Sequence, residues 1–258
     1  MRILSLGAGV QSSTVLLMAC EGEERLDHAI FADTQWEPPA VYRHLEWLEE
    51  RALRGGIPIH RVTRGNLRED ALAGKPEAWM PLFLRGGPNI RGQARRQCTS
   101  NYKVTLIHRK VRELGATFRQ PAEVAKGISL DELQRMKDSD VRYIRHVYPL
   151  IDRRMTRRDC LLWLERHGYP RPPKSACVGC PFHDTAGWRA IKGDPVMWAD
   201  ALEFDERMRK RGYSLKSSEA EAFLHFSGRP LREVDLSTAA DHGQLDLFQD
   251  ECEGVCGV

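Results

Sequence analysis

Two cysteines with two residues between them, Cys177 and Cys180 in the run KSACVGCPFH, have the spacing that lets both sulfurs reach one metal ion or cluster. The proline directly after the second is common in iron–sulfur loops. A pair alone completes no site. Cys98, just before a helix-forming stretch, and Cys160, near the start of another, are the candidate third and fourth ligands. For Cys160 the competing reading is a buried helical cysteine packed like a small hydrophobe. His183 stands as a substitute ligand or a cap of the loop, and Cys20, on the apolar face of the first helix, is assigned to packing. Four thiolates suit zinc or an iron–sulfur cluster equally, and spacing does not separate them. A zinc ribbon usually takes two close pairs, whereas here one pair is joined by two distant single cysteines, which leans toward the cluster.

A second chemical signal lies at the start of the chain, in SLGAGVQSS, residues 5 to 13. A turn that only links a strand to a helix needs one glycine. Two glycines with Ser5, Ser12 and Ser13 leave backbone N–H groups and hydroxyls at a helix N-terminus, an anion site suited to phosphate. The alternative is a tight turn with Ser12 or Ser13 as helix cap. The G-x-G-x-x-G spacing is not met after Gly9, and no Gly-Lys-Ser/Thr follows, so the run is neither a dinucleotide fingerprint nor a Walker A loop.

These groups need elements to hold them. With 258 residues, 41% of them hydrophobic and 29% charged, the chain can bury a sizeable core, and a formal net charge of +3 is too small to mark a nucleic-acid or membrane partner by itself. No apolar run approaches the ~20 residues of a membrane span and no signal-peptide order opens the chain, so a cytoplasmic location is expected. In that reducing compartment the seven cysteines suit metal or chemistry better than disulfides. MRILSL, DHAIFADT, IPIHRVT, PAEVAKGIS and VRYIRHVYPL read as strands. QSSTVLLMACE, VYRHLEWLEERALRGG, LDELQRMK and a stretch from about Tyr102 to Leu114 read as helices. The alternation predicts a parallel doubly wound sheet. Residues 84 to 103, with Arg85, Arg91, Arg95, Arg96 and Lys103 among glycines, read as a mobile loop that either grips phosphate, sulfate or RNA or is simply solvated. From about Thr156 the texture turns helical, in RRDCLLWLERHG and PVMWADALEFDERMRKRG.

SLGAGVQSSTVLL resembles the PP-loop of the adenine nucleotide alpha hydrolase superfamily, which includes ATP pyrophosphatases and phosphoadenosine phosphosulfate (PAPS) reductases. FADTQWEPPAVYRHLEWL, QCTSNYKVTLIHRKV and YPLIDRRMTRRDCLLWLERHG are similar to later segments of the PAPS reductases, so the likeness spans about residues 1 to 190. The pattern Ser-Gly-Gly-x-Asp-Ser is here AGVQSS, with Ser12 in place of the acidic residue, which suits a relative with altered nucleotide handling. The resemblance implies that Gly7, Gly9, Gln11, Ser12 and Ser13 cradle phosphate and that Asp33 and Thr34 face the nucleoside. It implies Gly127 at the adenine, with Arg96 and Lys103 near the nucleotide. It implies a 4Fe-4S cluster on Cys98, Cys160, Cys177 and Cys180. It also implies a nucleophilic Cys256 or Cys252 in the acidic C-terminal DECEGVCGV, activated only once the arginine loop closes.

The expected architecture is a Rossmann-like α/β domain over residues 1–155, followed by a helical cysteine-containing extension and tail over 156–258. The favoured function is sulfur transfer by an enzyme that splits ATP, with Mg2+, to AMP and pyrophosphate, and passes sulfur to a nucleic-acid or small-molecule acceptor. The alternative is a PAPS-type reductase that releases sulfite through a tail cysteine and draws on a thioredoxin-like reductant. A reading from another class, a non-catalytic zinc-stabilised nucleic-acid-binding module, leaves the glycine turn unexplained.

Overall fold

The computed structural model describes residues 1–86, 90–215, 218–238 and 241. Its first half follows the expected alternation: β1 (Arg2–Leu6), α1 (Val10–Cys20), β2 (His28–Asp33), α2 (Pro39–Arg54), β3 (Ile59–Thr63) and the short α3 (Leu67–Leu72). The hairpin strands β4 (Phe83–Gly86) and β5 (Ile90–Gln93) come next, then α4 (Thr105–Glu113), β6 (Ala122–Lys126) and β7 (Ile144–Val147). The strands β3-β2-β1-β6-β7 form one sheet in that order, every pair parallel, with Leu4 opposite Ala29 and Ser5 opposite both Ile30 and Lys126. The order reverses between β1 and β6, which places a switch point at the carboxyl ends of those two strands. This is the doubly wound α/β sheet the alternation predicted.

Strand residues alternate between two cores. Leu4, Leu6, Ala29, Phe31 and Ala125 pack against α1 and α2, joined by Leu150 of α5 (Pro149–Asp152) and by Cys160 and Leu164 of α6 (Arg157–Arg166). Ile3, Ile30, Ala32, Ala122, Val124 and Ile144 pack on the other face against Ile107 and Val111 of α4. Both sheet faces are covered, which is why β1 reads as a nearly continuous apolar run. In α2 the buried Val41, His44, Leu45, Leu48 and Ala52 lie on one side, and Arg51 and Arg54 sit in the last turn, where they suit the helix dipole.

Beyond α6 come α7 (Thr185–Lys192), α8 (Pro195–Arg211), β8 (Tyr213–Leu215) and β9 (Ser218–Phe223). Here the structure departs from the sequence reading twice. The glycine and arginine stretch after Leu84 is a hairpin rather than a loop: β4 pairs antiparallel with β5, and on its other edge with β9, Phe83 opposite Phe223. The C-terminal part is helical and stranded, since β8 and β9 complete the sheet β5-β4-β9-β8. A third core results, in which Trp36, Leu67, Met80, Leu84 and Tyr102 pack with Cys177, Trp188, Phe204, Ala222 and Leu231. The cores therefore divide elsewhere than at residue 155: α6 belongs with the parallel sheet, and residues 67–102 belong with the C-terminal part. Among the described residues no helix is long and apolar enough to cross a membrane.

Candidate functional site

A cleft of about 1010 Å³, part of it open to solvent, lies at the switch point and is lined by Ser5, Gly7, Gly9, Gln11 and Ser12 of the opening turn. Helix α1 starts at Val10 with Gly9 as its cap, no side chain caps it and no acidic residue sits in its first turn, so its positive end, where Val10, Gln11 and Ser12 line the cleft, has no side-chain acceptor of its own. Ser12 closes the turn on itself: its hydroxyl accepts from the Gly7 N–H at 3.2 Å and donates to the Gly9 carbonyl at 3.4 Å. Ala8, between the two glycines, is fully buried with φ of 56°, a left-handed conformation that costs an alanine on the order of 1 kcal/mol.

Gly127 carries the close approach that a glycine at this position suggested, but toward a different neighbour. A Cβ there would stand 2.7 Å from the backbone N of Ser12, so the end of β6 docks directly on the start of α1. Ser13 is turned away from the cleft; fully buried, its hydroxyl shares a hydrogen bond of 3.0 Å with His44 Nε2. Burial holds the His44 imidazole down to about 4, and so neutral. Asp33 also turns aside and accepts from the Gln35 N–H at 2.7 Å and the Tyr42 hydroxyl at 2.8 Å.

The cleft is rich in cations. Arg135 pairs with Glu132, which also accepts from Gln11 at 3.0 Å, and Lys174 pairs with Asp184 at 2.6 Å. Arg157, Lys126 and Lys103 also line it. Sequence reading missed Lys126, Arg135, Arg157 and Lys174. Lys126 had one available signal, a charged residue at the last position of an otherwise apolar strand. It is 7% exposed, forms no ion pair among the described residues, and burial, with Lys137 nearby, brings its ammonium down to about 8.

A second pocket adjoins the first. Cys98, Cys177 and Cys180 line it with Thr34, Arg96 and Lys103, and two residues, Lys103 and Ser175, line both pockets. The CxxC turn is fixed by packing on the β2–α2 connection: the Val178 N–H donates to the Trp36 carbonyl at 2.9 Å, and a Cβ at Gly179 would lie 2.2 Å from the Trp36 ring. Trp36 in turn donates its indole N–H to Asp200 at 2.7 Å and packs on Phe204. His183 caps the turn, donating from Nε2 to the Cys177 carbonyl at 2.9 Å. Glu37, almost fully buried, accepts from Lys103 at 3.3 Å, while its other oxygen has no partner. Burial opposes the Lys103 charge, but Glu37 and the thiols around it hold its ammonium above the usual range. Burial pushes the Cys177 thiol up, and Glu37 adds to the rise; burial also raises Cys98. Thr34 serves this pocket, its hydroxyl 3.2 Å from Cys177 Sγ. Arg96 lies 5.2 Å over the Phe182 ring.

Cys160 is not brought to this group. It is fully buried between α1 and α6 in the core under the parallel sheet, and burial pushes its thiol up to about 12. Among the described residues no three His, Cys, Asp or Glu side chains converge to hold a metal ion. By donor type the three thiols that line this pocket match a thiophilic ion, but they do not converge on one point, and with Cys160 in another core the four-cysteine set expected for a cluster or zinc does not fit as placed. Cys20 packs against Gly55, and Cys252 and Cys256 lie outside the described residues.

No family model matches the chain, and no curated protein matches it. Among solved structures it is similar to a PAPS reductase from Candida auris, crystallised as a phosphate complex, with 16% identity and a TM-score of 0.44 over 66% of this chain and 74% of that one.

Proposed function

We propose that the chain is an enzyme of adenine-nucleotide-dependent sulfur chemistry, which binds nucleotide phosphates at the Gly7–Ser12 turn and presents cysteine thiols beside them. The observation that carries this reading is the wall shared by the two pockets. Lys103 and Ser175 line both the anion cleft and the pocket of Cys98, Cys177 and Cys180, so a phosphoryl end held at the turn has sulfur on its flank. The resemblance of SLGAGVQSSTVLL to the PP-loop supports adenine as the base.

In this reading ATP adenylates an oxygen of the acceptor and releases pyrophosphate, and sulfide-level sulfur from an external hydrosulfide-class donor then forms a carbon–sulfur bond as the carbon–oxygen bond breaks and AMP leaves with the oxygen. The residues of the chain bind and orient. The N–H groups of α1 and the cations of the cleft hold the anhydride oxygens, which accumulate charge as the bond to pyrophosphate breaks. Lys103, kept charged by Glu37, pulls the Cys177 and Cys98 thiols toward ionisation, but burial, and at Cys177 the Glu37 charge, outweigh it, so the pocket presents protonated thiols until a ligand takes the place of the proton.

Calorimetry and product analysis on anaerobically purified protein test the proposal. Magnesium-dependent ATP binding and formation of AMP and pyrophosphate are expected. Tight PAPS binding with thioredoxin-dependent sulfite release replaces ATP by the sulfonucleotide, and binding of neither removes the proposal. Iron and zinc contents of the single Cys98→Ala, Cys160→Ala, Cys177→Ala and Cys180→Ala proteins are part of the same experiment. With Cys160 in a separate core, its substitution is expected to leave any metal content unchanged.

A further inference from the structure

The switch-point cleft has two sides, divided by the sheet edge. On one side are the N-terminus of α1 and Arg157 at the start of α6. The other side is set by strand alternation. Ile3, Ala122, Val124 and Ile144 face α4, and residues two apart on a strand share a face, so Ser5, Lys126 and His146 face α4 as well. Ser5, Ala32, Ile107, Lys103 and Lys126 line the cleft on that side.

The cations of the cleft differ in their partners. Arg135, Lys174 and Lys103 each have a carboxylate, Glu132, Asp184 and Glu37. Lys126 has none among the described residues, although more than nine-tenths of it is buried. The titratable groups near its ammonium are His108 on α4, His146 on β7 and Lys137 after β6, with Asp140 near the two histidines. Its stem is buried while its ammonium opens on the cleft, among the described residues with no counter-charge, so an anion in the cleft meets an unneutralised cation in partly desolvated surroundings.

We infer that Lys126 is the cation of a second anion subsite on the α4 side of the cleft, which takes a tetrahedral oxyanion of the sulfate or phosphate class, separate from the group seated at the α1 N-terminus. The inference deepens the function proposed above by giving its ligand a second anionic group. That group is either part of the nucleotide or a free oxyanion bound beside it. The ammonium titrates at about 8, so the subsite is charged at pH 7 and loses its charge as pH rises through 8.

Inorganic sulfate is the probe, since it stays dianionic from pH 6 to 9. Calorimetry of the intact chain at low ionic strength is expected to resolve two sulfate sites at pH 7. Lys126→Met, of similar length, is expected to lose one of them, and wild type at pH 9 to bind that one up to about tenfold more weakly. Lys126→Arg keeps the charge at every pH, so it is expected to retain the site at pH 7 and at pH 9, a response that a purely structural lysine does not give. Addition of ATP, which carries further phosphates beyond the one seated at α1, separates the sources: sulfate retained at the Lys126 site together with ATP marks a free oxyanion, and its displacement from that site by ATP but not by AMP marks a second anionic group of the nucleotide. Equal sulfate binding and an unchanged pH profile in Lys126→Met overturn the inference. If ATP and AMP fail to bind while the sulfate response holds, the nucleotide reading falls and the subsite stands.

Discussion

The parallel sheet and the third core hold their chemistry by different means. At the sheet, the anion seat is main chain: N–H groups at the start of α1, a self-closing Ser12, and a glycine on β6 that lets two backbones touch. In the third core the chemistry is side chain, three thiols placed by a tryptophan, a buried carboxylate and a CxxC turn. The turn of the first is local, β1 running directly into α1, with β6 reaching it from more than a hundred positions away. The second joins residues 67–102 to residues 177–236 and depends on contacts across more than a hundred positions. A backbone site tolerates side-chain change until a Cβ intrudes, whereas a side-chain site is only as fixed as the packing behind it.

The strongest way to break the comparison is at Asp205. Fully buried, it accepts from the Leu224 N–H at 3.1 Å, the Leu231 N–H at 3.0 Å and Arg209 at 3.1 Å, and so ties α8 to the end of β9. Asp205→Ala leaves two backbone donors and a guanidinium without their acceptor and is expected to cost about 4 kcal/mol. Hydrogen exchange then reads the location: amides of β4 and β9 accelerate while those of β1 and β6 stay protected. Equal acceleration in both sheets would show that the cores open as one unit.

A smaller loss, about 2–3 kcal/mol from overpacking, is expected for Gly179→Ala, because Trp36 must leave its place against Phe204 and Asp200. Thiol titration of the native protein is expected to show faster modification of the pocket cysteines, with sulfate binding in the cleft retained. Unchanged thiol rates would separate the tryptophan from the positioning of the turn. Ser13→Ala, the mildest, removes one buried hydrogen bond to His44 and is expected to lower stability by about 1 kcal/mol with sulfate affinity within twofold of wild type. A large loss of affinity would return Ser13 to the anion seat.

What could be read from the sequence follows the same division. MRILSL, DHAIFADT and PAEVAKGIS announce strands because both faces of the sheet are covered and their buried runs are nearly continuous, while IPIHRVT, the edge strand, is marked by alternation and β-branched residues instead. The start of the anion turn was legible for the same local reason. The hairpin after Leu84 was not, since its pairing partner, β9, lies over 100 residues away and only glycine and arginine show locally. Ser13 and Cys160 look like site residues by type, and only the packing of α1 against α2 and α6 turns them inward. Lys126 was hidden by its company: one polar residue ending a strand is ordinary until the lack of a counter-charge is seen.

The segment from Pro173 to Cys180 touches both regions. The Ser175 hydroxyl donates to the Gly7 carbonyl, Gly9 lies against Ser175, and two residues later the chain delivers the first thiol of the CxxC turn. The segment is thus one covalent connection between the two pockets. If seating an anion at Gly7–Gly9 shifts the segment and changes the affinity of the pocket thiols for a thiophilic ligand by some factor, that ligand must change anion affinity by the same factor, because the two routes around the cycle share their end states. Saturating one pocket and titrating the other, in both orders, therefore yields a single coupling free energy, and its sign tells whether the two pockets fill together or in turn.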